Sequence, residues 1–241
     1  MIIAARNEAD RIGATIEAVA AAAPDARLIV AEDSSTDETA QIARAAGAEV
    51  ISGRVSRGKG ANVAAAAQAV LERVGAARPS GGKGGGEGES THIVLLCDGD
   101  LGPSAAELPM LARSVERGDC DLAVAAFTRR VGGGVGIARG AGRWAIRSLC
   151  GLETEAPLSG QRAMRLEVLQ AVVPFAAGFG MEVGMTVDAV RAGYRVIEVE
   201  VDLEHRVTGR TLAGFAHRGR QLRDIGRAYI SRRGDRRLQT P

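Results

Sequence analysis

Short apolar runs alternate with helical patterns along the chain, and this alternation limits the folds open to it more than any other feature. The predicted strands are residues 1–4, 28–31, 49–51, 92–97, 121–126 and 196–201. Repeated strand–helix units usually pair their strands in parallel and cover the sheet with helices. We therefore predict an α/β fold with a mostly parallel sheet flanked by helices, and ligands at the carboxyl ends of its strands.

Helix start and stop signals lie between these strands. Ser35 and Glu38 have the spacing of a capping box, and so do Ser104 and Glu107. This spacing predicts that helices begin at the two serines, the second of them running over residues 104–117. Gly47 is placed to end the helix that precedes the third strand.

Composition excludes several classes of protein. The chain has 241 residues, 46% of them apolar, and a formal net charge of +2, so it can bury a large core but lacks the basic signature of nucleic-acid binding. Aromatic residues make up only 3%, too few for the stacking surfaces of a single-strand binder. The three cysteines have neither disulfide nor zinc spacing, and no apolar run approaches a membrane span. These features predict a reduced, cytoplasmic protein.

A glycine-rich segment and a basic C-terminal stretch indicate how the chain is divided. Residues 79–90 have almost no side chains that could join a core, so we predict a flexible loop there. Residues 1–210 are predicted to form the main domain, and residues 211–241 a C-terminal helical extension with a basic tail. A solvated basic face is the default for that helix. Peripheral contact with an anionic membrane and a homodimer interface are the alternatives.

Two aspartates follow the central predicted strand, in the sequence Asp98-Gly99-Asp100. Residues two apart on a strand share a face, so the two carboxylates can approach each other just beyond the strand. Two like charges about 4 Å apart repel by about 4 kcal/mol at an effective dielectric constant of about 20. A divalent cation with open positions for phosphate oxygens would relieve this repulsion. The alternative is an ordinary strand-to-turn junction.

Polar side chains also follow the first three predicted strands. Asn7 and Glu8 come after the first strand, Asp33 after the second and Lys59 after the third. Each has a structural explanation, as a helix cap, an Asx turn or a solvated loop charge. Brought together at one edge of the sheet, they predict a nucleotide pocket in which Asp33 accepts from a base or ribose and Lys59 lies near phosphate.

The order of these motifs resembles family 2 nucleotide-sugar glycosyltransferases with the GT-A (Rossmann-like) fold. The matching segments are Ile2-Ile3-Ala4-Ala5-Arg6-Asn7-Glu8, Ala31-Glu32-Asp33-Ser34-Ser35-Thr36-Asp37-Glu38-Thr39, Gly58-Lys59-Gly60 and Asp98-Gly99-Asp100. Ala4 stands where a proline is common in the family. The resemblance implies a UDP-sugar donor bound by Ala5, Asn7, Glu8, Asp33, Lys59, Asp98 and Gly99. It also implies Mg²⁺ or Mn²⁺ on the diphosphate, held by the catalytic Asp100 with help from Asp98.

The second half of the chain resembles the glucosyl-3-phosphoglycerate synthases, which are retaining GT-A enzymes. The matching segments include Pro157-Leu158-Ser159-Gly160-Gln161, Gly180-Met181-Glu182 and Glu204-His205-Arg206. The resemblance implies that His205 completes the metal site. It further implies an acceptor site formed by Gly133, Gly134, Leu158, Ser159, Gly160, Gln161 and Arg206.

Two departures from that pattern bear on the acceptor. Gln161 replaces an acid, and Val135-Gly136-Ile137 replaces the arginine and threonine that grip the acceptor phosphate in the resembled enzymes. Arg139 or Arg143 could compensate from a shifted loop. The identity of the acceptor is therefore left open by the sequence.

Glu182 opens a helical segment, and several roles suit it. It could favour the positive end of the helix, bind an acceptor hydroxyl, or act as a general base. An inverting transferase needs such a base beside the hydroxyl, whereas a retaining enzyme of the resembled type does not. We predict that Glu182 is a catalytic residue of the pocket, with the stereochemistry left open.

The leading hypothesis is metal-dependent transfer of a sugar, with glucose first among the candidates, from a UDP-sugar to a small or phosphorylated acceptor. The first alternative is an inverting transferase that acts on polyprenyl phosphate or a cell-envelope glycan precursor. The second is a non-catalytic nucleotide-sugar-binding protein. A sugar-phosphate nucleotidylyltransferase fits less well, because residues 3–8 lack the glycine-rich basic signature of such an enzyme.

Overall fold

A computed structural model of the chain describes residues 1–53, 58–77, 92–127, 136–203 and 212–234, with the side chains of the last segment described from residue 219 onward. The strands are β1 (Ile2–Ala5), β2 (Ile29–Glu32), β3 (Glu49–Ser52), β4 (Ile93–Asp98), β5 (Leu122–Phe127), β6 (Arg162–Arg165) and β7 (Val196–Val201). The α-helices are α1 (Ile12–Ala22), α2 (Thr39–Ala45), α3 (Lys59–Ala77), α4 (Pro109–Glu116), α5 (Ile137–Cys150), α6 (Leu166–Val172), α7 (Met181–Arg191) and α8 (Leu212–Arg233). Short 3₁₀ helices span Gly102–Glu107 and Gly178–Gly180.

The strands form one seven-stranded sheet in the order β3-β2-β1-β4-β6-β5-β7. β1 pairs in parallel with β2 and β4, β2 pairs in parallel with β3, and β5 pairs in parallel with β7. Among the described strands only β6 runs antiparallel to its neighbours, β4 and β5. The prediction of a mostly parallel sheet flanked by helices, with a helix at the C-terminus, is confirmed.

Strand β6 is the element that the sequence pattern does not predict. It has four residues, of which Arg162 and Arg165 are charged, so neither an apolar run nor a clear alternation marks it. Its conformation comes from its neighbours, because Ala163 pairs with Leu95 on β4 and with Ala123 on β5. The strand therefore depends on tertiary pairing rather than on local preference.

The two faces of the sheet pack against different helices. Ile3 joins a core cluster with residues of α1 and α4, whereas Ile2 joins a cluster with residues of α3, α6 and α7. Both side chains are buried, and each contributes about 1.5–3 kcal/mol by leaving water. Because both faces are covered, the inner strands β1, β2 and β4 are apolar on both sides, apart from the acidic last residue of β2 and of β4, which explains their continuous apolar runs.

The first predicted capping box is wrong. Helix α2 begins at Thr39, with Glu38 at the N-cap position and no side-chain cap hydrogen bond. The Ser35 hydroxyl instead accepts a hydrogen bond from the Asn7 amide at 3.0 Å, so it joins two loops. The predicted end of this helix is confirmed, because Gly47 follows α2 with a φ of 88°.

The second predicted capping box is also wrong, and the helix predicted over residues 104–117 is divided. Residues Gly102–Glu107 form a 3₁₀ helix, and α4 starts only at Pro109. Proline lacks the amide hydrogen needed to continue an α-helix from the preceding turn, which explains the boundary. The Ser104 hydroxyl donates to the Leu101 carbonyl at 2.8 Å.

Helix α8 packs against α5, α7 and the Gly178–Gly180 turn, with Ile225 and Ala228 buried. No helix within the described segments is long and apolar enough to cross a membrane. All three cysteines are free thiols. The predicted loop over residues 79–90 lies outside the described residues, and the domain boundary at residue 210 stays a prediction.

Candidate active site

The carboxyl ends of β1, β2 and β4 meet at a cavity of about 640 Å³, at the edge of the sheet where the ends of parallel strands collect ligands. The predicted site residues that line it are Ala5, Glu8, Asp33, Lys59, Asp98, Gly99, Asp100, Leu158 and Glu182. The predicted site residues in the described segments that do not line it are Asn7, Ser159, Gly160 and Gln161. The fold thus brings most of the predicted residues to one place.

Asp33 lies directly beyond β2 and is held by contacts from several elements. Its amide donates to the Ala5 carbonyl at 3.0 Å. Its Oδ1 accepts hydrogen bonds from Asn62 Nδ2 at 2.5 Å and from the Gly58 amide at 3.3 Å, while Arg6 Nη1 lies 3.6 Å from Oδ2. These contacts fix the carboxylate at the cavity wall. Its predicted role toward a base or ribose stays a prediction.

The loop after β1 turns at Asn7, which has a φ of 56°, a backbone region that asparagine tolerates better than most residues. Asn7 Oδ1 accepts from the Thr36 amide at 2.8 Å, and the Glu8 amide donates to Thr39 Oγ1 at 2.8 Å. Asn7 therefore joins the loop after β1 to the loop before α2. Donor binding by Asn7 stays a prediction.

Lys59 joins two carboxylates that come from distant parts of the chain. Its Nζ lies 2.6 Å from Asp98 Oδ1 at the end of β4 and 3.0 Å from Glu182 Oε1 in the first turn of α7. Burial works to lower the pKa of Lys59, but the attraction of Asp98 and Glu182 outweighs it and raises the pKa above its ordinary value. Lys59 therefore stays protonated at neutral pH.

The turn before β6 packs closely over this ion pair. Gln161 Nε2 donates to Asp98 Oδ2 at 2.8 Å, and Gln161 Oε1 accepts from Ser159 Oγ at 3.2 Å. A Cβ at Gly160 would lie 2.7 Å from Lys59 Nζ and 2.8 Å from Asp98 Oδ2. Glycine is thus needed for the close approach, and each Asp98 oxygen already has a polar partner.

A buried arginine, Arg162, holds the same turn through hydrogen bonds. Arg162 is 1% exposed, and it donates through Nε to the Ser159 carbonyl and through Nη1 to Thr186 Oγ1, both at 2.9 Å. Burial lowers the pKa of Arg162 to about 10, against the opposing attraction of Glu182 and Glu198. The guanidinium remains charged at neutral pH and fixes the turn relative to α7.

The turn that carries Asp100 is anchored by helix α1. Arg11 Nη1 donates to the Asp100 carbonyl at 2.8 Å, and Thr15 Oγ1 donates to the Gly99 carbonyl at 2.9 Å. The Gly99 amide in turn donates to the Ala4 carbonyl at 2.8 Å. These bonds hold the backbone of the turn, and Asp100 lines the cavity.

Carboxylate oxygens of the kind that Mg²⁺ and Mn²⁺ prefer line the cavity. Asp98 and Asp100 supply them, so the residues present fit a hard divalent cation. Among the described residues no group of three or more His, Cys, Asp or Glu side chains is arranged to hold a metal ion. The remaining predicted ligand, His205, lies outside those residues.

The predicted acceptor site is only partly described. The predicted acceptor-binding residues that lie outside the described segments are Gly133, Gly134 and Arg206. Neither Arg139 nor Arg143, the two candidates to replace the missing acceptor arginine, lines the cavity. Arg143 Nη2 instead pairs with Glu155 Oε1 at 2.7 Å.

Sequence reasoning missed the contribution of α8 to the cavity. Arg220, Gln221 and Asp224 line it, together with Phe179 from the turn before α7. Asp224 is 9% exposed, and its Oδ2 accepts from the Phe179 amide at 3.3 Å. A lone acid among many arginines was the available signal, but the basic composition of the helix favoured a solvated face.

Residues 1–182 match the sequence profile of the family described as Glycosyl transferase family 2. A glucosyl-3-phosphoglycerate synthase of Mycolicibacterium paratuberculosis is 31% identical over 253 aligned positions, which cover 94% of this chain and 67% of that protein. An undecaprenyl-phosphate mannosyltransferase of Micrococcus luteus is 27% identical over 219 positions, which cover 86% of this chain and 84% of that protein.

Solved structures agree with this sequence similarity. The chain superposes with a TM-score of 0.71 and 26% identity on glucosyl-3-phosphoglycerate synthase from Mycobacterium tuberculosis in complex with Mn²⁺, UDP and phosphoglyceric acid, covering 97% of this chain and 77% of that one. A complex of the same synthase with Mn²⁺, UDP-glucose and phosphoglyceric acid gives 0.70 and 25%, covering 96% and 78%. The predicted GT-A fold is confirmed. The chain belongs to glycosyl transferase family 2 and is a nucleotide-sugar glycosyltransferase with the GT-A fold.

Proposed function

We propose that this protein transfers glucose from UDP-glucose to a phosphorylated acceptor, in a reaction that depends on Mg²⁺ or Mn²⁺. The observation that carries the proposal is the convergence of Asp33, Lys59, Asp98 and Asp100 on one cavity. It is supported by the synthase of Mycobacterium tuberculosis, which has been crystallised with Mn²⁺, UDP-glucose and phosphoglyceric acid.

The donor spans the cavity from the end of β2 to the end of β4. Asp33 accepts hydrogen bonds from the uridine, because its carboxylate is already fixed at the cavity wall, and Glu8 adds a second acceptor. Ala5 and Gly99 line the space between these ends, and the single methyl group of Ala5 and the absence of a side chain at Gly99 leave room for the ribose and diphosphate. The diphosphate then lies next to Lys59.

Asp100 is the main metal ligand of this chain, which is the role that the family resemblance implies for it, and it lines the cavity beside Asp98. Asp98 assists from the neighbouring position, and His205 is the further ligand. When bound, the metal neutralises the negative charge that develops on the departing UDP. Lys59 supplies a fixed positive charge on the same wall of the cavity. This charge stabilises the negative charge that develops on UDP in the transition state.

Glu182 binds Lys59 and positions the acceptor hydroxyl, and it does not act as a base that removes a proton. Its Oε1 holds the Lys59 ammonium at 3.0 Å, and the carboxylate lines the cavity, so its other oxygen can accept from the acceptor hydroxyl. A retaining transfer needs no base beside that hydroxyl. We therefore assign retention to the reaction, in agreement with the enzymes that the second half of the chain resembles.

Calorimetric titration tests the donor site. UDP and GDP are titrated with and without Mn²⁺ into the wild type, Asp100→Ala and the control Asp119→Ala, which removes an exposed acid paired with Arg117. We expect metal-dependent binding of UDP, retained in Asp119→Ala and weakened at least about tenfold in Asp100→Ala. Transfer from UDP-glucose to 3-phosphoglycerate and other phosphorylated acceptors follows by product analysis. Absence of UDP binding under all metal conditions contradicts the proposal.

Polyprenyl phosphate is a second acceptor candidate, favoured by the mannosyltransferase relative and by apolar side chains on the surface. Ile137 and Trp144 on α5 and Ile230 on α8 are 60%, 58% and 73% exposed, and α8 carries exposed arginines. Such a surface suits peripheral contact with an anionic membrane or a homodimer. Transfer of the sugar to a short polyprenyl phosphate, together with salt-sensitive binding of the protein to anionic vesicles, would favour polyprenyl phosphate as the acceptor. Transfer to 3-phosphoglycerate without binding to vesicles would favour a small phosphorylated acceptor.

A further inference from the structure

Helix α8 lines the cavity with Arg220, Gln221 and Asp224, and contacts with neighbouring elements hold this part of the helix in place. Asp224 accepts a hydrogen bond from the Phe179 amide, and Ile225 and Ala228 beside it are each 3% exposed. Residues four apart on a helix share a face, so the anchored Asp224 presents Arg220 to the same cavity, which both residues line.

Within the described segments, Arg220 differs from the other basic side chains that line the cavity in its lack of an acidic partner. Among the described residues, six acidic side chains and three basic ones line it. Of the basic ones, Lys59 is held by two carboxylates, and Arg6 Nη1 lies 3.6 Å from Asp33. Arg220 makes no hydrogen bond or ion pair with any described part of the chain. An acidic cavity repels an anionic ligand unless cations compensate, and Arg220 is the cavity-lining cation in the described segments that no carboxylate engages.

The loop expected to bind an acceptor phosphate does not supply an arginine at the expected place. Val135-Gly136-Ile137 stands there, and neither Arg139 nor Arg143 lines the cavity. A phosphorylated substrate therefore needs a cation from another element. A guanidinium suits this task, because its planar donors bind two phosphate oxygens at once.

We propose that Arg220 binds a phosphate group of a substrate, so that α8 forms part of the substrate site. The inference rests on the proposed function for the identity of the ligands. Both the donor diphosphate and the acceptor phosphate offer the chemistry that Arg220 recognises. The two sources are separated by measuring the affinity for each.

Calorimetry on Arg220→Gln tests the proposal. UDP with Mn²⁺ is titrated first, and 3-phosphoglycerate is then titrated into the UDP–Mn²⁺ complex. The control is Arg227→Gln, which removes an exposed arginine of the same helix that does not line the cavity. We expect Arg220→Gln, and not the control, to weaken one of the two ligands at least about tenfold. Weaker UDP binding assigns Arg220 to the donor diphosphate, and weaker 3-phosphoglycerate binding assigns it to the acceptor.

Failure of the inference and failure of the proposed function give different results. If the wild type binds UDP with Mn²⁺, and Arg220→Gln has the same affinity as the wild type for every ligand that the wild type binds, the inference alone is overturned. A wild type that binds no UDP overturns both. Thermal denaturation of each variant confirms that a change in affinity does not come from unfolding, and Arg220→Lys, which keeps the charge, should retain part of the lost affinity.

Discussion

At the scale of single residues, the ion pair between Lys59 and Asp98 depends on the missing side chain of Gly160. The approach is close enough that a methyl group at residue 160 would overlap both charged groups, at 2.7 Å from Lys59 Nζ and 2.8 Å from Asp98 Oδ2. Both are ends of flexible side chains, so they can move away. The cost of such a substitution therefore falls on the geometry of the site more than on the fold.

We expect Gly160→Ala to weaken Mn²⁺-dependent UDP binding at least about tenfold, since it separates Lys59 from Asp98 and disturbs the carboxylates at the metal position. The free energy of unfolding should change by no more than about 1 kcal/mol. The control is Gly140→Ala in α5, where a Cβ meets no atom within 4 Å. It should stabilise the helix by about 0.5–1 kcal/mol and leave UDP affinity unchanged. Equal UDP affinity in Gly160→Ala and the wild type would show that the close approach has no functional consequence.

The same ion pair shows which parts of the candidate site the sequence could predict. Asp33, Lys59, Asp98 and Asp100 could be predicted because each lies at the end of a strand or in the segment after it, and the ends of parallel strands meet at one edge. The contact between Lys59 and Glu182 joins residues 123 positions apart. No local pattern encodes such a pairing, so the role of Glu182 in holding Lys59 could be seen only in the folded chain.

At the scale of elements, α8 is joined to α7 by a largely buried ion pair. Arg232 Nε lies 2.8 Å from Asp188 Oδ1, and a second guanidinium nitrogen contacts the other carboxylate oxygen. Gly184 makes room for the guanidinium, because a Cβ there would lie 2.7 Å from Arg232 Cζ. Arg191 Nη1 also donates to the Arg232 carbonyl at 2.8 Å. This junction fixes the C-terminal end of α8, whose earlier residues Arg220, Gln221 and Asp224 line the cavity.

Arg232→Gln should lower the free energy of unfolding by about 2 kcal/mol. Removing one partner of a fully buried pair costs about 3–5 kcal/mol, and this pair is 13% and 15% exposed, so solvent reduces the loss. Urea denaturation followed by circular dichroism measures it. Arg233→Gln, which changes an exposed neighbour, should stay within about 0.5 kcal/mol of the wild type. Similar stability in both variants would mean that the junction contributes little to the docking of α8.

Elements differ in how well their local sequence marks them. β1, β2 and β4 are buried on both faces and therefore apolar apart from the acid that ends β2 and the acid that ends β4, so their positions could be predicted. β6 is short and carries Arg162 and Arg165, and it becomes a strand only between β4 and β5. Pro109 divides the segment after β4 into a 3₁₀ helix and α4, although the capping-box spacing favoured a single helix.

At the scale of the whole molecule, the candidate site joins the two ends of the chain. Its lining runs from Ala4 at β1 to Asp224 in α8, and β6 inserts between β4 and β5 to connect the two parts of the sheet. A ligand in this cavity therefore contacts groups that come together only when β1, β2, β4, α3, α7 and α8 have packed together. Its binding free energy should stabilise the folded protein as one unit.

Thermal denaturation measures this linkage. At a concentration of UDP with Mn²⁺ about 100 times its dissociation constant, binding to the folded state adds about 2.7 kcal/mol. For a chain of this size, each kcal/mol raises the melting temperature by about 2–4 °C, so we expect one transition shifted upward by about 5–10 °C. Asp100→Ala at the same ligand concentration should lose most of the shift. Two separate transitions, with only one of them shifted by the ligand, would contradict a site that spans the molecule, because a ligand held by one half would stabilise that half alone.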